Sequence, residues 1–379
     1  MSARNTKTVD IALQGGGAHG AFAWGVLDRL LDDDRIDIAG VSGTSAGAMN
    51  ATALVQGLAS GGRQAAQELM HAYWKRVSDA AQLSPFQRTV FDVLAGRWSL
   101  DRSPGFVLSQ FQQRMFSPYE LNPLGLNPLR DIVAEMFDFD VVNGPQAPKL
   151  FLSATNVRTG LPKVFRQPDI SVDTVMASAC LPFLFQAVEI DGEAYWDGGY
   201  MGNPPLFPLV DESDVRDLMI IQINPLTRPD IPKTAYEIEN RLNEITFNAS
   251  LMKELRSLYF LAEIIEHENI ERESYRDARL HRIEAEAEMT ELSVSSKLNA
   301  EWAFLTHLHD IGRQAAGQWL DDHFDDLGVR TTWSPIDILS ESLKPAHLPE
   351  GAERKFEQVQ TTRKKRRARS STGQGKTHS

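Results

Sequence analysis

The chain opens with a short apolar run, Thr8 to Leu13, that leads almost directly into Gly15-Gly16-Gly17-Ala18-His19-Gly20. Over Ala21 to Leu31 the period changes. Phe22, Val26, Leu27, Leu30 and Leu31 recur at helical spacing until Asp32-Asp33-Asp34 ends the stretch. Ile36 to Val41 then reads as a second strand, Ser42 to Ser45 as a turn, and Ala46 to Leu58 as a second helix. Strand, glycine turn, helix, strand, sharp turn, helix is the order that builds a parallel sheet with helices packed on it. The pattern predicts an α/β fold with a mostly parallel central sheet.

Further along, Gly61-Gly62 opens another helix to about Val77. Residues 80–128 carry prolines and aromatics with weak periodicity, the texture of a cap or lid. Strand signals return at Leu150 to Ala154 and Lys163 to Phe165, and Ser171 to Cys180 reads as a short helix ended by Pro182. Ala194 to Trp196 approaches a turn at Asp197-Gly198-Gly199, and Leu218 to Ile223 is a buried-strand pattern stopped by Asn224-Pro225. Tyr236 to Glu273 and Leu298 to Phe324 are long helical stretches, with Leu280 to Ile283 as a last strand between them. No internal repeat is visible. Residues 1–7 are expected to be an N-terminal extension and residues 8–325 one folded domain. From about Lys344 the composition turns polar, and the Arg363–Arg369 run is too densely like-charged to pack, so residues 344–379 are expected to form a disordered basic tail.

Composition and charge narrow the function. With 379 residues, 42% of them hydrophobic, the chain can bury a sizeable core. Its formal net charge of −12 conceals an asymmetry: residues 354–379 hold nine Lys/Arg and one Glu, a tail of +8 on a body of −20. An acidic body has no face for neutralising phosphates, so nucleic acid is not expected as a partner of the folded domain. The 363–369 basic tail could make peripheral contact with an anionic membrane; a solubilising tail and a nucleic-acid tail are the alternatives. The single cysteine, Cys180, allows no internal disulfide and fits a reducing compartment. Met1 to Asp10 lacks the apolar core of a secretory signal, and no stretch reaches the roughly 18 apolar residues of a membrane span. A cytoplasmic protein is expected, meeting lipid from the aqueous side, peripheral to the inner membrane face. No Cys/His or carboxylate cluster has metal-ligand spacing, so no metal or other cofactor is expected.

Chemistry concentrates at three places. Gly43-Thr44-Ser45-Ala46-Gly47 fits the G-x-S-x-G elbow, in which a strand reverses sharply into a helix and presents a serine at the apex. Small flanking residues permit the turn, and the helix N-terminus favours developing negative charge. The apolar strand before it and the Ala-rich helix after it supply the context that an isolated five-residue match lacks. The second place is the glycine loop. Gly15, Gly17 and Gly20 match a dinucleotide fingerprint, but that use needs a carboxylate at the end of the next strand, where this chain has Ser42-Gly43-Thr44-Ser45. If both turns lie at one edge of a parallel sheet, the loop amides can instead form an oxyanion hole beside Ser45. That use is favoured.

A serine nucleophile needs a base, usually histidine. Of the nine histidines, His267, His307, His309 and His323 fall in charged helices, and His347 and His378 in the tail, while His281 follows a candidate strand. The third place is therefore Asp197-Gly198-Gly199, a routine turn by itself but one that leaves a carboxylate accessible after an apolar approach. Two rivals stay open: a Ser-His-Asp carboxylesterase with a base such as His281, and a non-enzymatic nucleotide-binding or regulatory module using the glycine loop.

Taken in order, Gly15 to Gly20, Gly43 to Gly47 and Asp197 to Gly199 resemble the patatin-like phospholipases, over motif-bearing segments spanning about residues 10–205. The resemblance implies a three-layer α/β/α fold and a serine esterase of lipid degradation, a phospholipase A, lysophospholipase or esterase cleaving carboxylic esters through a Ser–Asp dyad. Ser45 matches the nucleophile, Asp197 the proton acceptor, and the amides of Gly15, Gly16 and Gly17 the oxyanion loop. Gly20, Gly43, Thr44, Ala46, Gly47, Gly198 and Gly199 complete the motifs. The expected substrate is an acyl lipid. One departure is visible: the family often carries Arg or Lys where this chain has His19, so an anion-contacting role for that side chain does not transfer. For such chemistry the carboxyl pKa should be raised by burial, with Tyr195 and Trp196 as apolar neighbours.

Overall fold

The computed structural model describes residues 6–228, 230–267, 278–335 and 338. Most of the expected N-terminal extension, the basic tail at 344–379, and the part of the Tyr236–Glu273 stretch beyond His267 lie outside the described residues. The described residues up to Ser334 belong to one compact unit.

Among the described residues, eight strands form one sheet, all of it within that unit. They are β1 (Lys7–Leu13), β2 (Ile36–Gly43), β3 (Lys149–Asn156), β4 (Pro162–Arg166), β5 (Val188–Ile190), β6 (Glu193–Asp197), β7 (Asp217–Ile221) and β8 (Arg279–Ile283). The order is β5-β6-β3-β2-β1-β7-β8, with β4 also paired to β3. The β3-β2-β1-β7-β8 portion is parallel throughout, and β4, β5 and β6 add antiparallel pairings at one side. A parallel sheet covered on both faces needs nearly continuous apolar strands. β7 satisfies this with all five residues buried, and Val9, Ile11 and Leu13 do the same in β1.

The first helices, α1 (Gly20–Asp32) and α2 (Ala46–Ala81), are the crossovers β1–α1–β2 and β2–α2–β3, which step the same way across the sheet. α2 is two helices joined at a kink where Gly62 adopts φ 76°, the division that Gly61-Gly62 signals in the sequence. Within the 80–128 region of weak periodicity, residues 83–126 contain three helices, α3 (Val90–Leu94), α4 (Pro104–Met115) and α5 (Pro118–Leu121). α4 and α5 each begin with Ser-Pro, which presets the first helical φ. The chain continues through α6 (Pro128–Met136), α7 (Phe139–Val142), α8 (Val172–Ser178), α9 (Phe207–Glu212), α10 (Ala235–His267), α11 (Glu286–Thr290) and α12 (Trp302–His323). α12 packs along α1. The crossover through α10 runs from β7 to β8, away from β2 and β3. Right-handed crossovers therefore set α10 on the face opposite α1 and α2, giving helix, sheet and helix layers.

Strand order reverses between β1 and β7. The chain leaves β1 and β7 in opposite directions there, the usual binding position in an open α/β sheet. The glycine loop follows β1 and the Gln222–Asn224 turn follows β7, so both lie at that switch point.

Candidate active site

β2 ends at Gly43 and α2 begins at Ala46, leaving Thr44 and Ser45 to make the whole reversal. Ser45 lies at φ 55°, ψ −123°, a conformation that a residue with a Cβ holds only when its surroundings impose it. Those surroundings are explicit. Thr44 N donates to Leu13 O at 3.3 Å, and Gly47 N donates to Thr44 O at 2.8 Å. The Thr44 hydroxyl donates to Gly202 O at 2.5 Å, and Ser45 N donates to Ser178 Oγ at 3.0 Å. The elbow is thus fastened to β1, to α8 and to the loop that follows β6.

The glycine loop runs against this elbow. A Cβ on Gly15 would sit 2.6 Å from Thr44 O and 2.8 Å from Ser45 Cβ, so only glycine lets the two turns meet. Gly17 has φ +58°, and a Cβ there would run into Lys297 O. The three loop amides are not equivalent. Gly15 N is already committed to Asn203 Oδ1 at 2.6 Å, whereas the Gly16 and Gly17 amides have no acceptor among the described residues. Of the three donors expected from the sequence, two remain available. Gln14 braces the loop from below, its Oε1 accepting Ile223 N and Asn224 N at 2.8 Å each. Gly15→Ala is expected to lower stability by about 2–3 kcal/mol in a urea titration, because backbone rather than a flexible side chain must move. An unchanged midpoint would refute this close packing.

Asp197 closes β6, which pairs antiparallel with β3 and brings Asp197 opposite Ala154. Its N donates to Cys180 O at 2.8 Å and its O accepts from Thr155 Oγ1 at 2.9 Å, which fixes the backbone. The carboxyl is fully buried; Oδ1 accepts Gly199 N at 2.7 Å, while Oδ2 has no partner of hydrogen-bonding geometry. Burial pushes this carboxyl up to about 6, against the lowering effects of Gly199 N, the Ser45 hydroxyl and the Lys297 ammonium. The Ser45 hydroxyl favours the ionised carboxyl, although no complete hydrogen bond joins the two. Such pairs commonly tighten only once substrate is bound.

Among the described residues, the histidines make their hydrogen bonds to groups other than Ser45. His281 is fully buried in β8, its Nε2 3.0 Å from Asp217 Oδ1 and its Nδ1 2.9 Å from Thr332 Oγ1. Asp217 starts β7, at the sheet edge opposite the elbow, and β1 and β7 stand between β2 and β8. His309 contacts Asp28, and His323 contacts Asp326. His19 Nε2 lies 2.7 Å from Ser296 Oγ, and burial, followed by the nearby Lys297 charge, holds its imidazole well below the ordinary value and so neutral. Among the described residues no imidazole hydrogen-bonds to Ser45, and no cluster of three His, Cys, Asp or Glu is arranged to hold a metal.

Several site residues have no sequence signal of the kind that marks Ser45. Ser178 and Asn203 secure the elbow and the glycine loop from positions 133 and 188 residues away. Lys297, in the Val294–Leu298 turn, is half-buried and donates to Asn224 Oδ1 at 2.8 Å and Asn243 Oδ1 at 2.7 Å. Asn224 Nδ2 in turn donates to Gly15 O at 2.9 Å, so the ammonium is one residue removed from the loop. Asn224 does have a visible role in the sequence, as the stop of an apolar strand, though not as this bridge.

Residues 11–210 match the family described as patatin-like phospholipase. No curated protein sequence matches the chain. Solved structures similar to it include VipD from Legionella pneumophila, with a TM-score of 0.40 at 15% identity over 84% of this chain and 67% of that one. Another is the heterodimeric ExoU–SpcU complex from the type III secretion system of Pseudomonas aeruginosa, with a TM-score of 0.35 at 18% identity over 85% of this chain. The match covers 52% of that neighbour's chain, so this chain spans about half its length.

Proposed function

This chain belongs to the patatin-like phospholipase family, and from that premise we propose that it is a serine hydrolase of acyl-lipid esters working through a Ser45–Asp197 dyad. The observation that carries the proposal is a strained, buried serine at the elbow together with a fully buried carboxyl whose Oδ2 has no hydrogen-bond partner and whose ionised form the serine hydroxyl favours. Asp197 takes the hydroxyl proton as Ser45 Oγ attacks the ester carbonyl, and the amides of Gly16 and Gly17 receive the developing oxyanion. The proton then passes from Asp197 to the departing alcohol, leaving an acyl-serine. Water, giving a proton to the same carboxylate, hydrolyses the acyl-serine and restores the hydroxyl.

A carboxylate with an ordinary pKa near 3.9 is a weak base for an alcohol. Burial, which moves Asp197 to about 6, brings it nearer to the task while leaving it mostly ionised at neutral pH. Such an enzyme needs no cofactor and operates in the cytoplasm, on lipid met from the aqueous side. No helix among the described residues is long and apolar enough to cross a membrane.

A fluorophosphonate probe tests the proposal. Mass spectrometry of the labelled, digested protein is expected to find the adduct on Ser45, and Ser45→Ala protein is expected to take up none. Labelling of another residue, or of none in a protein that hydrolyses p-nitrophenyl esters, would overturn the proposal.

A further inference from the structure

The cap formed by residues 83–126 turns its apolar side chains outward. Fourteen of the twenty-three large hydrophobic residues exposed among the described residues fall within it. No residue of α4 is buried, and Val107, Phe111 and Met115, one turn apart along a single stripe, are 54, 64 and 63% exposed, with Leu108 beside them. In α3, Phe91 and Leu94 are 78 and 80% exposed. An amphipathic helix normally buries such a stripe against its own domain. An exposed apolar stripe of this kind marks an interaction site.

Charge and position select the occupant. The cap holds four arginines, no lysine and three carboxylates, in a chain whose formal net charge is −12. It is thus a locally non-acidic face on an acidic body, suited to phosphate headgroups that the rest of the surface would repel. The cap is also fastened on both sides of the candidate site. On one side Leu100 N donates to Ser295 Oγ at 2.9 Å and Asn299 Nδ2 to Trp98 O at 3.0 Å, flanking Lys297. On the other, Gln186 Nε2 donates to Asn122 O at 2.7 Å and Ala187 N to Tyr119 Oη at 3.2 Å. That second loop begins at Cys180, whose carbonyl holds Asp197 N, and carries Phe183 at 65% exposure.

We propose that the exposed apolar face of α4 is an interfacial docking surface that seats on the headgroup and upper acyl region of a lipid bilayer, delivering lipid to the adjacent site. It rests on the acyl-hydrolase function proposed above for its purpose, though not for its binding. α4 lies in the plane of the interface, with the 107–111–115 stripe inserted and the exposed Arg102 and Arg114 at headgroup level, whereas Arg88 is paired with Glu301.

The test uses full-length Ser45→Ala protein, so that binding is read without hydrolysis, on sedimented vesicles of phosphatidylcholine with a minor share of phosphatidylglycerol. Leu108→Ser with Phe111→Ser is expected to weaken vesicle binding about tenfold or more. In the Ser45 background the same pair is expected to lower hydrolysis of vesicular lipid relative to that of a soluble short-chain ester by a similar factor. Both substituted residues are exposed, so the fold is not at stake. Unaltered vesicle binding by the variant, or none by the parent, would overturn the proposal. So would a parent dimer that the substitutions convert to monomer, since the face would then cover a second copy. Vesicle binding that depends on the stripe, in a protein without Ser45-dependent hydrolysis, would leave the surface standing and remove the proposed catalytic function instead.

Discussion

Asp197→Asn is expected to reduce kcat/KM for acyl-ester hydrolysis by about 10⁴-fold while making the folded protein more stable at pH 8. The two effects share one cause. The carboxyl titrates near 6 when folded and near 3.9 when unfolded. Between those values the folded state binds the extra proton, so unfolding free energy falls as pH rises from about 4 to 6 and stays lowered above it. Full ionisation therefore costs the native state up to about 3 kcal/mol. Asparagine keeps an oxygen for Gly199 N and occupies the same space without the charge. Urea titrations should show a gain of about 1–3 kcal/mol at pH 8 that shrinks toward pH 4. A variant less stable than the parent at pH 8 would mark Asp197 as a structural partner and not as a strained, buried base. A silent kinetic effect would remove it from the chemistry altogether.

The contrast between Ser45 and Asp197 shows which parts of a site a sequence discloses. The elbow is written in five consecutive residues because its constraints are local: a strand must end, two residues must turn, and a helix must begin. β1, α1 and β2 were legible for the same reason, since each buries a regular apolar pattern. Asp197-Gly198-Gly199 reads as an ordinary turn because its burial comes from elsewhere, through the antiparallel pairing of β6 with β3 and the Cys180 carbonyl above its amide. The bracing set of Ser178, Asn203, Asn224 and Lys297 is separated from the motifs by long stretches of chain, and no periodicity links a lysine near the end of the domain to a loop near its start. In the cap, helices of four or five residues are too short to establish a period. The longer α4 misled for a different reason: its apolar stripe is genuine but faces away from the core, so periodicity could not announce which way it points.

Lys297→Met is expected to lower kcat/KM by about 10²-fold at pH 7 and to change the shape of the pH profile, which a loss of packing alone would not do. In the parent, activity should rise as Asp197 ionises near pH 6 and fall as the ammonium deprotonates near pH 8, to which burial lowers Lys297. These are apparent values of a coupled pair, since each charge stabilises the other. The groups that face the ammonium define the sign. Asp197 and Glu244 both favour its charged form. Glu244 is itself paired with Arg228 and Arg241, and His19 is held neutral. Removing the ammonium leaves the Asp197 carboxylate without a compensating charge, so the acid limb should move to higher pH while the alkaline limb near 8 disappears. Lys297→Arg supplies the complementary case: a guanidinium does not titrate in this range, so activity retained at neutral pH should persist past pH 8. Profiles that keep both limbs in the two variants would show that the ammonium only fills space beneath the glycine loop. A shifted acid limb would instead tie that distant lysine to the protonation of the carboxylate that faces Ser45.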